Sequence, residues 1–191
     1  MNPHDARWLA GWLSSAARLD SPNFGPRPAD VLPWLIVIHA ISLPPGEFGG
    51  NAVPDFFLNR LDAHAHPYFQ EIAGLEVSSH FFIRRDGKLM QFVSIDERAW
   101  HAGQSVWRDQ PNCNDFSVGI ELEGDDATPY ESAQYATLFA LIDALQAVLP
   151  ITDLAGHCHI APGRKTDPGP FFDWETLKAR FPACRMPAPC L

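Results

Sequence analysis

Two stretches set the hydrophobic pattern of this chain. Trp34-Leu-Ile-Val-Ile-His39 is a continuous apolar run of strand length, the pattern of a strand buried on both faces. Phe116 to Gly124 alternates instead. Phe116, Val118, Ile120 and Leu122 share one face, and Ser117, Gly119, Glu121 and Glu123 share the other. Ser79 to Arg84 and Lys88 to Val93 read as two further strands, joined through Asp86-Gly87 as a hairpin. Helical spacing appears at Tyr135, Leu138, Phe139, Ile142, Leu145 and Leu149. This predicts a helix opened by Thr128-Pro129-Tyr130-Glu131 as a capping box and ended by Pro150. A last short helix is expected over Phe171 to Phe181 with Asp173 as its cap, and a helical turn over Phe56 to Leu61. Ala6 to Leu19 predicts a short helix or turn that lays Trp8, Leu9, Trp12 and Leu13 on the core. Ser21 to Pro33 and Ser42 to Val53 carry too many Pro and Gly residues for regular structure.

Composition narrows the class. The 191 residues suffice for one domain, with no internal repeat; its core is expected over about residues 21–181 and a loose tail over 182–191. Apolar residues make up 46% and charged residues 19%, a globular balance. The net charge of −9 argues against nucleic-acid or anionic-membrane partners, which need basic surface. No signal peptide or membrane span is legible, so a cytoplasmic location is expected. Cys113, Cys158, Cys184 and Cys190 show no C-x-x-C spacing. In that compartment they should be reduced thiols, with Cys158 a small buried residue or a ligand.

Candidate chemistry concentrates between Gly156 and Pro170, where His157, His159, Lys165 and Asp167 fall in a segment too rich in Pro and Gly for a helix. Imidazole and carboxylate are zinc ligands, and a catalytic zinc site takes three of them with one open position. The same residues would also suit a solvated surface loop. His159, two residues from His157 on an extended segment, would project to the same side and compete as a ligand. His39 ends a buried strand, where open sheets carry ligand chemistry; a lone His there is also readily satisfied by a backbone group. Glu121 is a candidate general base, unless its strand is an edge with a solvated polar face. Gly119 marks a close approach by a ligand or backbone. Trp100-His101 suits a pocket wall or, equally, a core Trp beside a satisfied His. His64 and His66 lie in a polar loop and read as surface.

Six blocks then resemble one family, the AmpD-type zinc amidases, which cleave N-acetylmuramoyl-L-alanine bonds in 1,6-anhydro-muropeptides during cell-wall recycling. They are I-S-L-P-P-G-E-F-G-G after Ala40, A-H-P-Y-F at Ala65, I-R-R-D-G at Ile83, R-A-W-H-A-G at Arg98, C-N-D-F-S-V-G-I-E-L-E-G at Cys113 and R-K-T-D-P-G-P at Arg164. The resemblance runs from about Ser21 to Phe181. It implies an α/β fold, a single domain with a central mixed β-sheet flanked by helices, shared with peptidoglycan recognition proteins and phage amidases. It implies zinc held by His39, His157 and Asp167, a catalytic carboxylate at Glu121 and a transition-state-stabilising Lys165. Trp100, His101, Tyr68, Arg164 and the Leu43 to Gly50 loop are expected to contact a small muropeptide substrate, and the protein to act as a monomer. This chain departs from the family at Ala40, where many members carry an Asn resembling a substrate contact, and at His159, where relatives often have Asp or Asn. The rival readings are a non-catalytic muropeptide-binding module of the same fold and a zinc peptidase, whose common H-E-x-x-H signature is absent.

Overall fold

The structure, a computed structural model, describes residues 7–190; Ala6 and Leu191, at the ends of two expected segments, lie outside the described residues. Along the chain come β1 (Trp8–Leu9), β2 (Trp12–Leu13), β3 (Ala17–Arg18), β4 (Phe24–Pro26) and β5 (Leu35–Ile41). Helices α1 (Ala52–Phe57) and α2 (Pro67–Ile72) follow, then β6 (Phe81–Ile83), β7 (Leu89–Gln91), β8 (Glu97–Ala99), β9 (Val106–Trp107) and β10 (Gln110–Pro111). The last elements are β11 (Ser117–Glu123), α3 (Ser132–Gln146), β12 (Asp153–Gly156), α4 (His157–Ile160) and α5 (Trp174–Arg180).

The main sheet has six strands in the order β12-β5-β11-β6-β7-β3. The run β12, β5, β11, β6 is parallel, whereas β7 is antiparallel to β6 and parallel to β3. The two strands read from the hydrophobic pattern, β5 and β11, therefore sit side by side in the middle, which is why neither shows a solvated face. Ile36, Ile38, Val118, Ile120 and Leu122 pack with Leu138, Leu141, Ile142 and Leu145 of α3. Leu35 and Val37 project to the opposite face, against Ala102, Ala155 and Ile160. Phe82 meets Phe57, Phe69 and Phe92 in a further cluster under α1 and α2. The Asp86-Gly87 hairpin forms as expected, with Gly87 at φ +81 and its N–H donating to the Arg84 carbonyl.

Several expectations are corrected. Residues 8–13 form a β-hairpin rather than a helix. Ala10 and Gly11 both take positive φ, as tight hairpin turns require, and Leu9 is 81% exposed while Leu13 is buried. Helix α1 ends at Phe57, near where the helical turn was expected to begin. Helix α3 begins at Ser132, three residues later than the expected start at Pro129, because Gln134, not Glu131, reaches back: its Oε1 accepts from the Glu131 N–H. The Gln134 amide also donates to the carbonyls of Glu123 and Ile83, tying α3 to β11 and β6. Asp173 caps α5 as predicted, accepting from the Thr176 N–H.

The four expected free thiols are also corrected, together with the loose tail. Residue 185 pairs with β12: the Arg185 carbonyl accepts from the Leu154 N–H and the Arg185 N–H donates to the Thr152 carbonyl. This lays the tail along the outer edge of the sheet towards α4, where Cys190 is bonded to Cys158 as a disulfide. Cys113 and Cys184 remain free and buried.

Candidate metal centre

Three adjacent parallel strands end together at one edge of the sheet. Their register sets His39 directly beside Glu121, on β5 and β11, and aligns the last residue of β12, Gly156, with Ile38. The chain then turns at Gly156 into α4, so that His157 follows at once. Gly156 has little room for a side chain, since a Cβ there would lie 2.7 Å from Pro168 Cδ. The expectation of an extended segment is corrected here. Residues 157–160 form a helical turn, in which residues two apart point in different directions.

Asp167 returns to this turn from ten residues on. Its carbonyl accepts from the Cys158 N–H at 2.9 Å, and the Tyr130 hydroxyl donates to the next carbonyl, that of Pro168. His39 Nδ1, His157 Nδ1 and Asp167 Oδ2 thereby converge, with separations of 3.0, 3.2 and 3.1 Å. His159 is not among them. Its Nδ1 accepts from the Gly156 N–H, its Nε2 donates to the Ala188 carbonyl, and its ring lies against Trp174.

The hydrogen-bond partners of the rings bear on which nitrogens hold protons. His157 Nε2 lies 3.1 Å from the Ala102 carbonyl, which only accepts, so Nε2 carries the proton and Nδ1 the lone pair. His39 Nε2 faces His101 Nδ1 at 2.9 Å, and His101 Nε2 faces the Ser117 hydroxyl at 3.2 Å. When His39 Nε2 donates along that line, His39 Nδ1 has a lone pair as well. Two lone pairs and a carboxylate oxygen then face one another with no proton to share, an arrangement that calls for a cation. The separations approach the edge of about 3.3 Å of a tetrahedron of zinc ligands. Among the described residues, His39, His157 and Asp167 are one of two groups whose donor atoms suit a metal ion; the other, Cys158, His159 and Cys190, contains the disulfide.

Electrostatics agree with this geometry. Burial, with help from the neighbouring His157, pulls His39 down to about 4, so the ring is neutral and available. Glu121 goes the other way: burial, reinforced by Asp167 and opposed by Lys165, pushes its carboxyl well above the usual range. Its Oε2 is buried without a hydrogen-bond partner, an orphan of the kind that native structures keep at sites of function.

The polar face of β11 holds residues that sequence reasoning undervalued. The expected close approach at Gly119 is made by a side chain: a Cβ at this position would lie 2.5 Å from the His101 ring. The Gly119 N–H donates to His80 Nδ1. Ser117, two residues back on the same face, takes the far end of the His101 ring. His101 thus stands behind His39 as an orienting partner, the arrangement that fixes ring position and tautomer in metal-ligating histidines. Gly119→Ala is expected to push His101 off His39 and to cost about 1–3 kcal/mol of stability. Urea denaturation of the metal-free variant checks this, and unchanged stability would refute the tight fit.

The other expected contacts divide. A cleft of about 530 Å³ opens over the three converged residues, with Glu121, Lys165, Trp100, Tyr68 and Ala40 on its walls. His101 and Arg164 also reach it, but Arg164 Nη2 donates to the carbonyls of Ala102 and Gln104 and braces that loop. His64 lies on the surface as expected, while His66 caps α2 by accepting from the Tyr68 N–H.

Comparison with known proteins shows the family. Residues 29–170 match the family model of N-acetylmuramoyl-L-alanine amidases. The chain is 54% identical over 173 residues to the 1,6-anhydro-N-acetylmuramyl-L-alanine amidase AmpD of Escherichia coli strain K12, covering 90% of this chain and 92% of that protein. The backbone superposes on a crystal structure of a selenomethionine AmpD derivative with a TM-score of 0.89 at 52% identity, over 91% of this chain and 98% of the other. The amidase AmiD of Escherichia coli, solved with the substrate anhydro-N-acetylmuramic acid-L-Ala-D-gamma-Glu-L-Lys, gives a TM-score of 0.57 at 28% identity, over 81% of this chain and 60% of the other. Among the described residues no helix is long and apolar enough to cross a membrane. Matched in sequence and backbone over most of its length, the chain belongs to the N-acetylmuramoyl-L-alanine amidase family, alongside its AmpD members.

Proposed function

We propose that this chain is a zinc-dependent amidase that hydrolyses the bond between 1,6-anhydro-N-acetylmuramic acid and L-alanine in muropeptides, as a cytoplasmic monomer serving cell-wall recycling. The observation that carries the reading is the convergence of two imidazole nitrogens and a carboxylate oxygen within 3.2 Å, beside the buried carboxyl of Glu121, whose Oε2 has no partner. The substrate class rests on the AmpD relatives and on the muropeptide bound to AmiD. A single amidase domain spans residues 1–191, with its core over about 21–181.

His39, His157 and Asp167 would hold the ion, and zinc bound there supplies Lewis-acid activation of water and of the scissile carbonyl. Glu121 accepts the proton of the attacking water at its free oxygen and passes it to the departing L-alanine amine. Its raised affinity for a proton suits both halves of that transfer. Lys165 sets a positive charge beside the oxyanion formed on the lactyl carbonyl. His101 keeps His39 in the ligating tautomer. Trp100 and Tyr68 supply aromatic surface for the sugar and stem peptide, with Arg164 shaping the rim between them.

Purified protein should release the stem peptide from an anhydro-muropeptide, lose that activity on chelation, and regain it with about one equivalent of zinc per chain. Undiminished turnover by metal-free protein would end the zinc assignment. Tight binding of the muropeptide by zinc-loaded protein without hydrolysis would turn the reading into a binding module.

A further inference from the structure

The disulfide lies where it can act on the metal ligands. Cys158 stands between two of them in the structure: it follows His157 in the chain, and its N–H holds the Asp167 carbonyl. Its sulfur is bonded to Cys190, five residues beyond the Arg185 pairing that fastens the tail to β12. His159, one residue further along the same turn, is held at both ring nitrogens, by the Gly156 N–H and by the Ala188 carbonyl of that tail. The helical turn bearing His157 is thus clamped to the tail covalently at Cys158 and by a hydrogen bond at His159. The two sulfurs differ in access, with Cys158 buried and Cys190 half-buried. Cys113 and Cys184 are free and have no part in the clamp.

We infer that the Cys158–Cys190 pair is a reversible thiol–disulfide modification site that tunes the hold of the neighbouring centre on its metal. The inference rests on the metal reading of His39, His157 and Asp167. A low-molecular-weight thiol attacks the more accessible Cys190 sulfur as thiolate, forms a mixed disulfide, and releases Cys158 as thiolate, which takes up a proton. A second thiol then displaces Cys190 from the mixed disulfide. The protein gains two electrons and two protons, and two small thiols leave joined as their disulfide. Reduction frees the tail, so the Cys158 turn and the Asp167 carbonyl that it holds lose one of their constraints. Coupling of this kind is reciprocal: if the disulfide strengthens zinc binding, bound zinc must make the disulfide harder to reduce.

The test uses the full chain equilibrated in glutathione buffers of graded ratio, with and without zinc, then alkylated and weighed by mass spectrometry. Oxidised protein should show two alkylated thiols and reduced protein four. Zinc should shift the midpoint towards more reducing buffers. Zinc affinity, measured by chelator competition, should be weaker by about fivefold or more in reduced protein and in Cys190→Ser, which loses the clamp but leaves Cys158 in place. Four alkylated thiols at every ratio would overturn the inference, as would equal zinc affinity in the oxidised, reduced and Cys190→Ser forms. A midpoint displaced by zinc in the opposite direction would also overturn it, indicating that the freed thiols themselves take up the metal with His159. If neither form bound zinc at any concentration tried, the metal centre itself would fall, and the coupling with it.

Discussion

Glu121→Gln is expected to lower kcat by about a hundredfold to ten-thousandfold, the usual range for a lost general acid–base, while leaving zinc content at one per chain. The amide keeps the shape of the carboxylate but neither accepts the water's proton nor delivers one to the leaving amine. Stability should move the other way. The carboxyl is buried, faces Asp167 and leaves Oε2 without a partner. Its folded pKa therefore lies above the ordinary value of 4.5. For a group raised in this way the unfolded chain ionises first. In metal-free protein the carboxyl costs the fold nothing below that ordinary value, and destabilises it progressively as pH rises through the folded pKa. Gln has no proton to lose. Metal-free Glu121→Gln should thus be at least as stable as the parent at pH 8, with the difference vanishing towards pH 4. Thermal denaturation across that range and a turnover assay decide the matter. Loss of zinc from the variant would make Glu121 a ligand, and lower stability at pH 8 would show that its burial is compensated by an interaction the amide cannot make.

What the sequence made legible follows from which interactions are local. The strands β5 and β11 were readable because burial on both sides of a sheet writes itself into consecutive residues. The Asp86-Gly87 turn and the Asp173 cap were readable because they are settled within four residues. His39 and Glu121 stood out as polar groups at places where apolar ones would suffice, yet their register partnership depends on a parallel pairing across eighty-two positions in the chain, which periodicity does not encode. The N-terminal hairpin was misread because Trp-Leu-x-x-Trp-Leu fits a helical stripe as well as it fits two short strands. The turn at His157 was misread because Pro and Gly further along discouraged a helix that ends before reaching them. The disulfide was missed for a different reason: Cys158 and Cys190 are thirty-two residues apart, and only the pairing of residue 185 with β12 brings them together. The Ser117–His101–His39 line had one readable sign, Gly119, whose lack of a side chain makes room for the ring.

Asp167→Ala should abolish tight zinc binding and turnover together, whereas His159→Ala should keep both. The sequence offered both residues as the third ligand: spacing alone favoured His159, and the family resemblance put the ligand at Asp167. In the structure it is Asp167, not His159, that meets His39 and His157. His159 has each ring nitrogen engaged, one by the Gly156 N–H and one by the Ala188 carbonyl, and the helical turn carries it away from His157. Asp167 Oδ2 lies within 3.2 Å of both His39 Nδ1 and His157 Nδ1. Removing it deletes one ligand of three and the only anionic one, leaving two neutral imidazoles to hold a dication. The expected loss of zinc affinity exceeds the tenfold to hundredfold typical of an outer partner. His159→Ala gives up two hydrogen bonds to backbone and a contact with Trp174, so its cost should appear in stability, at about 1 kcal/mol, and not in metal content. Zinc titration, turnover and thermal denaturation of the two variants side by side separate these outcomes. Tight zinc and full activity in Asp167→Ala would remove Asp167 from the centre, and loss of zinc in His159→Ala would mean that its ring turns inward when the metal binds.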